Sequence, residues 1–372
     1  MSKPYARFVT ALFCVFLGGF ALLGVILPDR DFSPDENRIL AQRPEITLQS
    51  IRSGKFMSDF EAYVTDQFPG RDRWIAGKAA AERFSGKHEN NGVFFFKSEG
   101  LTYLIPRFDS PDEKRLKDNL GYVKRFAKES PIPVTVGLIP TAATVWADLL
   151  PQGAPNYDQR LILEQAAQAI PDFVDLYGVL KEHSGEPIYY RTDHHWTTLG
   201  AYYGYCGLAA ALGYELSPLP QFETVTEDFY GTSYSSSGVR WVKPDSIQIA
   251  VPHDGVTVTS FEGNRAQSRQ LYDYSKLEEK DKYAFFLGGQ QPLCVIETPN
   301  QNKPRLLIIR DSYTDSLAPF LTREFSEIHL VDLRYYKGSL GDYIRENTID
   351  RALVLYSVPN FVSDTNLAWL TR

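Results

Sequence analysis

An uncharged run near the N-terminus constrains this 372-residue chain more than any other feature. The run extends from Phe8 to Leu27, and a helix of that length measures about 30 Å, the thickness of the hydrocarbon core of a bilayer. Lys3 and Arg7 precede it, whereas acidic residues dominate the segment that follows. This asymmetry predicts a single membrane span with a cytoplasmic N-terminus and an extracytoplasmic C-terminal part. A cleaved signal peptide is the alternative, and it exports the same part of the chain.

Composition narrows the possible functions. The net charge is −7, and a nucleic-acid-binding protein usually needs a basic excess to neutralise phosphates, so this class is disfavoured. Three cysteines are too few for a disulfide scaffold, and only Cys206 and Cys294 could pair, because Cys14 lies in the apolar run. Aromatic residues form 13% of the chain, which suits either a large core or a surface that stacks on sugars.

The chain divides into three parts. Residues 1–30 are the predicted cytoplasmic start and signal-anchor helix, and residues 31–90 a stalk with amphipathic helices. Phe56, Phe60 and Val64 recur at four-residue spacing and predict one helix, and a second is expected from about Arg71 to Phe84. Residues 91–372 form the remaining domain.

Strands and helices alternate in that third part. Continuous apolar strands separated by helices predict an α/β fold, with a mainly parallel sheet covered by helices on both faces. Residues 222–282 interrupt this rhythm and are rich in Ser, Thr, Asp and Tyr. They are expected to form an irregular and β insertion, which is either a lid over a substrate or a solvated loop region.

The segment Asp193-His194-His195-Trp196 is the densest cluster of ionisable groups. If it is extended, Asp193 and His195 point to one face and His194 to the other. The carboxylate could then hold the imidazole as a general base, as in a nucleophilic triad. A polar turn beside Trp196 is the alternative, and a metal site formed by the first three residues is another.

A nucleophile is available where a predicted buried strand, Leu306-Leu-Ile-Ile, gives way to a helix at Asp311-Ser312. In a parallel sheet this end of the strand lines the ligand crevice, although Ser312 could simply cap the helix. Phe285-Phe286-Leu287 is expected to be a strand ending in glycines. There Gly288 or Gly289 could lend a backbone N–H to an oxyanion, and Gln290 an amide; a plain glycine turn is the alternative.

These motifs together resemble the bacterial DHHW family. The resemblance rests on Asp-His-His-Trp followed by Thr-Thr-x-Gly-Ala-Tyr-Tyr, then Phe-Phe-Leu-Gly-Gly, Arg-Asp-Ser-Tyr and Val-Asp-Leu-Arg-Tyr-Tyr, with Phe-Pro-Gly-Arg-Asp-x-Trp at 68–74. It covers about residues 30 to 365. The family is similar to the SGNH-hydrolase-like proteins that O-acetylate alginate in the periplasm, so the resemblance implies an SGNH-hydrolase-like domain.

The resemblance implies roles for individual residues. Asp193 would orient the imidazole, His195 would be the base and Ser312 the nucleophile, a permuted order in which Asp and His precede Ser. Arg310 departs from the pattern, because it stands where the SGNH Gly-Asp-Ser motif has glycine. Three further side chains are implied near the substrate: Asn360 as a candidate for the SGNH asparagine, and Tyr313 and Arg334.

The implied function is acyl transfer to a cell-envelope polysaccharide, or hydrolysis of its esters, through a serine acyl-enzyme at the bacterial cell membrane. The partner implied is a membrane-bound O-acyltransferase that supplies acetyl groups; no cofactor and no metal are expected. The alternative is a non-catalytic protein that binds glycan or acts as a scaffold in an exopolysaccharide acetylation system. A manganese-dependent Asp-His-His phosphoesterase is disfavoured, because the other acidic motifs of that class are missing.

Overall fold

The computed structural model describes residues 3–250 and 255–371. The chain forms two compact units. The smaller contains the chain up to Asn91 together with residues 235–240, and the larger contains residues 92–234 and 241–372.

The smaller unit begins with the apolar run as one helix, α1 (Lys3–Ile26), with a mean hydropathy of 2.5 and no buried residue. By length and composition this helix is able to cross a membrane, and a signal sequence has the same properties. The Phe20 ring stacks on Phe68, with the centroids 5.0 Å apart, and meets Trp74 edge-on. The apolar helix therefore packs on the Phe-Pro-Gly-Arg-Asp-x-Trp segment.

Three further helices and three two-residue strands complete the smaller unit: α2 (Leu48–Arg52), α3 (Lys55–Asp66), α4 (Arg71–Phe84), β1 (Phe32–Ser33), β2 (Arg38–Ile39) and β3 (Glu89–Asn90). Both predicted stalk helices are present. The stripe that predicted α3 is not buried, however: Phe60 and Val64 are exposed, whereas Tyr63 and Asp66 are buried. Asp66 is buried because it accepts hydrogen bonds from the Arg38 guanidinium and from the backbone N–H of Ala41.

The larger unit is built on an eight-stranded sheet. Its strands are β6 (Val134–Ile139), β7 (Phe173–Asp175), β10 (Thr257–Glu262), β11 (Arg265–Arg269), β12 (Leu293–Glu297), β13 (Arg305–Arg310), β14 (Glu327–Val331) and β15 (Arg351–Ser357). The order is β11-β10-β12-β14-β13-β15-β6-β7. The five strands from β14 to β7 are parallel, whereas β12, β10 and β11 pair antiparallel with their neighbours. The mainly parallel sheet is confirmed.

Two smaller antiparallel pairs lie outside this sheet, formed by β4 (Val93–Ser98) with β5 (Leu101–Pro106) and by β8 (Phe222–Phe229) with β9 (Asp245–Ala250). The helices are α5 (Glu113–Glu129), α6 (Ala142–Val145), α7 (Arg160–Ala169), α8 (Leu176–Glu182), α9 (Thr198–Leu212), α10 (Thr232–Ser237), α11 (Tyr313–Leu321), α12 (Leu340–Glu346) and α13 (Val358–Ser363).

The sequence of β13 is continuously apolar because both faces of the strand are buried. Leu306 and Ile308 face one hydrophobic core, which also contains Trp196 and α9, whereas Leu307 and Ile309 face a second core on the opposite side. Successive side chains of a strand point to opposite faces, so a strand that is covered on both faces needs apolar residues throughout. The expected layer architecture follows from this pattern.

Residues 222–282 are predicted to contain irregular and β structure, and two of their strands, β10 and β11, extend the main sheet. The strand expected at Phe285-Phe286 is not formed. Phe285 is the last residue of a 3₁₀-helix, Lys282–Phe285, and Phe286 makes a single bridge to Tyr272. Both phenylalanines are buried in a third small core, so their hydrophobicity reflects packing of a turn and not a strand.

All three cysteines are free thiols. Cys294 is buried in the core, and Cys206 is half-buried on α9. The one disulfide that the sequence allowed, between these two residues, is not formed.

Candidate active site

The Asp-His-His-Trp segment is a succession of bends and not an extended strand. The backbone N–H of His195 donates to Oδ1 of Asp193, 2.9 Å away, and this local bond turns the chain. The His194 ring consequently lies beside that of His195, with the centroids 3.8 Å apart, and does not point to the opposite face. Thr197 caps α9 by accepting from the N–H of Gly200.

Asp193, His195 and Ser312 form a continuous hydrogen-bonded chain. Nδ1 of His195 is 2.6 Å from Oδ1 of Asp193, and Nε2 is 2.8 Å from Oγ of Ser312. A carboxylate only accepts, so the proton lies on Nδ1 and Nε2 is left to accept from the serine hydroxyl. The order of contacts is that of a base, its orienting acid and a nucleophile. The structure thus brings together three residues that the sequence separates by up to 119 positions.

Ser312 lies at the carboxyl end of β13, immediately before α11. Its side chain makes no capping hydrogen bond, so the hydroxyl is directed at His195 and not at its own helix. The preceding Asp311 is buried, and its Oδ2 accepts from the N–H and hydroxyl of Ser357 and from Nδ2 of Asn360. These bonds tie the end of β13 to the end of β15 and hold the serine turn in place.

Gly231 and Thr232 support Asp193, and no sequence pattern indicates either residue. Oδ2 of Asp193 accepts from the backbone N–H of Thr232 at 2.7 Å and from its hydroxyl at 2.9 Å. A Cβ added at Gly231 would lie only 2.2 Å from Oδ2 of Asp193. Only glycine leaves room for the carboxylate. Both residues follow β8, so this part of the predicted insertion contributes to the site.

Tyr283 is a second contribution that the sequence analysis missed. Its ring stacks on the His195 imidazole with centroids 3.7 Å apart and planes 6° apart. Its hydroxyl donates to the backbone oxygen of Ser312 and to Oγ of Ser316. The ring and the hydroxyl therefore fix the base and the serine turn relative to one another.

Trp196 belongs to the same support. Its Nε1–H donates to the carbonyl oxygen of Tyr313 and to Oγ of Ser316. Ser316 itself is buried and already bonded, so Ser312 is the hydroxyl within hydrogen-bond distance of His195 Nε2. The tryptophan of the motif thus packs beneath the site and does not face a ligand.

The electrostatics of the site favour an ionised Asp193. Burial alone would raise the pKa of this carboxyl, but the charges of His194 and His195 and hydrogen bonds from His195 and Thr232 outweigh burial and lower the pKa. Burial and the neighbouring charge of His195 lower the pKa of His194. Asp193 is therefore an anion at neutral pH, as an orienting acid must be.

Arg310, which departs from the SGNH glycine, is accommodated by an ion pair. Its guanidinium is fully buried, with Nη1 2.8 Å from Oδ1 of Asp315, a buried residue of α11. Burial raises the pKa of the Asp315 carboxyl, although the arginine opposes this effect. The arginine side chain therefore points into the protein interior beside the serine turn.

The oxyanion candidates lie at the same edge of the sheet as Ser312. Gly288 and Gly289 both have positive φ, +75° and +93°, which explains the glycines at this turn. A side chain at Gly288 would meet Asp273 and Arg269, and the Gln290 amide oxygen accepts from the Tyr335 hydroxyl at 2.6 Å. The contacts of the described residues thus place this turn beside Arg269 and Tyr335, and a role in binding an oxyanion stays a prediction.

The other three candidates have different surroundings. The Tyr313 ring is buried and its hydroxyl donates to the carbonyl oxygen of His194, so this side chain braces the motif. Arg334 makes a two-pronged ion pair with Asp332. Asn360 reaches Asp311, which brings it next to the serine turn. Most of the aromatic residues in the motif segments belong to the core, including Tyr189, Tyr190, Trp196 and Tyr313, whereas Tyr335 is exposed.

A metal ion would compete with this network. Ligand atoms of Asp193, His194 and His195 all lie within 4.8 Å of one another. Each Asp193 oxygen, however, already accepts two hydrogen bonds, and Nδ1 of His194 is 2.5 Å from the Thr232 hydroxyl. The donors around the carboxylate suit proton transfer better than metal binding.

Comparison with known proteins finds a family match for the central segment. Residues 165–331, which include Asp193, His195 and Ser312, match the model of the DHHW protein family. The DHHW resemblance is confirmed. No curated protein matches the sequence.

Solved structures extend the likeness to most of the chain. A DHHW family protein from Eubacterium siraeum has 27% sequence identity and a TM-score of 0.66, over 76% of this chain and 96% of its own. PatB1 of Bacillus cereus, solved with a sulfonyl adduct, has 20% identity and a TM-score of 0.61, over 74% of this chain and 98% of its own. At that identity the second likeness shows the fold alone. The expected α/β fold with a mainly parallel sheet is confirmed.

Proposed function

We propose that this protein is a serine-dependent acyltransferase or esterase that acts on a glycan outside the cytoplasm. The observation that carries the proposal is the chain of hydrogen bonds from Asp193 through His195 to Ser312, 2.6 and 2.8 Å long. An arrangement of this kind activates a weak nucleophile, because the imidazole accepts the hydroxyl proton as the new bond forms.

In the first half of the proposed reaction, Ser312 Oγ attacks the carbonyl carbon of an acyl ester and its proton moves to Nε2 of His195. The bond to the leaving oxygen then breaks, and that oxygen takes the proton from Nε2. In the second half, a sugar hydroxyl or water attacks the acyl-enzyme, and its proton passes through Nε2 to Ser312. Asp193 remains an anion and stabilises the imidazolium in both halves.

The resemblance to the alginate-acetylating proteins favours acetyl as the acyl group and a cell-envelope polysaccharide as the acceptor. We infer that a membrane-bound O-acyltransferase supplies the acetyl group, with α1 as a single-pass anchor that keeps the larger unit near this donor on the extracytoplasmic side. The lengths of α1 and of the uncharged run support the anchor.

A fluorophosphonate probe tests the proposal directly, because it reacts covalently with an activated serine. We expect the purified full chain in detergent to be labelled, and Ser312→Ala to lose the label. Ser316→Ala is the matched control, because Ser316 is one turn away and bonded to Trp196 and Tyr283; it should keep the label. Labelling that persists in Ser312→Ala would refute the assigned nucleophile.

The same experiment addresses the alternative of a non-catalytic glycan-binding protein. That alternative predicts no labelling of the wild type, even though the fold is intact by circular dichroism. If the wild type is labelled, acetate release with and without an acceptor oligosaccharide separates esterase from transferase. A transferase gives acetylated oligosaccharide, which mass spectrometry detects as a gain of one acetyl group.

A further inference from the structure

A polar cleft of about 300 Å³ opens beside the edge of the sheet that carries Ser312. Three elements line it: the β10–β11 hairpin, the segment that leads into β12, and the loop that follows β14. The N–H of Asp332 donates to the carbonyl oxygen of Pro292 and joins the last two elements. The volume is in the range of small-molecule and saccharide sites.

The floor of the cleft contains an unsatisfied polar atom. Gln291 lines the cleft and is only 5% exposed. Its Nε2 donates to the carbonyl oxygen of Leu287 at 2.7 Å, but its Oε1 has no hydrogen-bond partner among the described residues. Oε1 is itself buried, so this amide belongs to the closed floor of the cleft.

The rim of the cleft presents a flat aromatic surface. Tyr335 is 48% exposed, and its ring is held by a hydrogen bond from its hydroxyl to Gln290 and by the Arg334 guanidinium, 5.5 Å from the ring centroid. Such a ring is available to the apolar face of a sugar. It is the one aromatic side chain that lines this cleft and is largely exposed among the described residues.

Polar and charged side chains complete the lining, including the carboxylate of Glu262 and the guanidinium groups of Arg265 and Arg269. Arg269 Nη2 donates to Oε1 of Gln267, and its Nε donates to Ser260 Oγ. These bonds fix the direction of the Gln267 amide in the cleft wall. A flat ring next to oriented polar groups matches the chemistry of a pyranose, which has C–H bonds on one face and hydroxyl groups at its edge.

The order of the strands gives the distance between the cleft and Ser312. Strand β14 separates β12 from β13, and neighbouring strands are about 4.8 Å apart, so the ends of β12 and β13 lie about 10 Å apart. A single sugar in the cleft would not reach Ser312, whereas an oligosaccharide would cover both positions.

We propose that this cleft is a binding subsite for a glycan chain, with Tyr335 as its stacking platform and the oriented amide of Gln267 as a hydrogen-bonding group. The inference rests on the proposed function in one respect, namely that the bound chain continues towards Ser312. The subsite selects a polymer over a free monosaccharide, because it recognises a sugar unit remote from the one that reacts.

Oligosaccharide binding tests the subsite without requiring catalysis. The probes are cellohexaose, a hexamer of N-acetylglucosamine and a hexamer of mannuronate, titrated calorimetrically against the full chain in detergent. At least one should bind, and Tyr335→Ala should raise its Kd about tenfold. Gln267→Leu should also raise it. Tyr274→Ala is the matched control, since Tyr274 is comparably exposed at 54% but does not line the cleft; its Kd should equal that of the wild type.

Two results would overturn the subsite: none of the three hexamers binds to the wild type, or the hexamer that binds does so equally well to Tyr335→Ala and Gln267→Leu. The fluorophosphonate reaction separates this failure from failure of the proposed function. Labelling of Ser312 in the wild type does not require a glycan, because the small probe does not occupy the cleft, so a labelled protein that binds no hexamer would reject the subsite alone. Hexamer binding without serine labelling would retain the subsite and reject the catalytic serine.

Discussion

Replacing Asp193 by Asn tests the residue that is proposed to orient the base. The two carboxylate oxygens accept four hydrogen bonds, from the backbone and ring of His195 and from the backbone and hydroxyl of Thr232. An asparagine has one acceptor oxygen and one NH₂ group. Its NH₂ group donates, so on one side of the amide it would lie against groups that also donate and find no acceptor. If its oxygen stays on Thr232, the NH₂ faces His195 Nδ1 and forces the proton onto Nε2.

The expected loss is large because that tautomer removes the base. A protonated Nε2 in a neutral ring has no lone pair for the Ser312 proton, although the geometry of the side chains is kept. The same change in a Ser-His-Asp triad lowers kcat about 10⁴-fold, which corresponds to about 5 kcal/mol in activation free energy. We expect a loss of similar size here, since Asp193 is buried and water does not replace its charge.

The assay is the second-order rate of fluorophosphonate labelling, with p-nitrophenyl acetate hydrolysis as a second measure. Asp228→Asn is the matched control, because Asp228 is an exposed partner of Lys282, and its rate should stay within about twofold of the wild type. Circular dichroism should show that both variants are folded. If Asp193→Asn reacts within tenfold of the wild type, Asp193 does not orient the base and the proposed chain is wrong.

Four further changes test the supports of the site and the folding of the two units. Gly231→Ala should slow serine labelling about 100-fold, because its methyl group would displace the Asp193 carboxylate; a rate equal to that of the wild type would contradict this contact. Tyr283→Phe keeps the ring on His195 and should lose only a few-fold in labelling rate, whereas Tyr283→Leu should lose more, and equal rates would show that stacking is unimportant. Arg310→Met should destabilise the larger unit by about 3 kcal/mol in urea denaturation, because it leaves the buried Asp315 without its partner, and adding Asp315→Leu should restore most of this stability. The hydrogen bond from Arg38 lowers the pKa of Asp66 to about 2. The ionised Asp66 therefore stabilises the fold fully above the unfolded pKa near 4, and this stabilisation is lost as the pH falls towards 2. The difference in unfolding midpoint between wild type and Asp66→Asn should shrink over this range.

The predictable part of the site lies in short segments whose meaning is local. Asp193 and His195 are two positions apart, and their pairing requires only a turn, so the motif indicated the contact even though the assumed extended conformation was wrong. Ser312 follows an apolar strand, and the carboxyl ends of parallel strands meet at one edge. The role of these residues in catalysis stays a prediction, whereas their proximity is an observation.

The parts that were missed depend on contacts between distant segments. Thr232 and Tyr283 lie in the stretch that was expected to be an irregular insertion, or just after it, and neither belongs to a recognisable pattern. Both residues reach the site because the chain returns to the sheet in this stretch. Hydrophobic periodicity does not encode where the chain returns. The Phe285-Phe286 pair shows the same limit, since burial in a turn and burial in a strand call for the same residue types.

By itself, then, the sequence determined the apolar N-terminal helix, the alternation of helices and parallel strands, and the identity of the residues that could form a catalytic chain. These follow from the length, periodicity and charge of contiguous segments. Only the tertiary structure decided the strand order, the inward direction of Arg310, the burial of most aromatic residues and the cleft beside Tyr335. Each of these depends on which distant side chains share a space, and that is set by the packing of the whole sheet with its covering helices and not by any one segment.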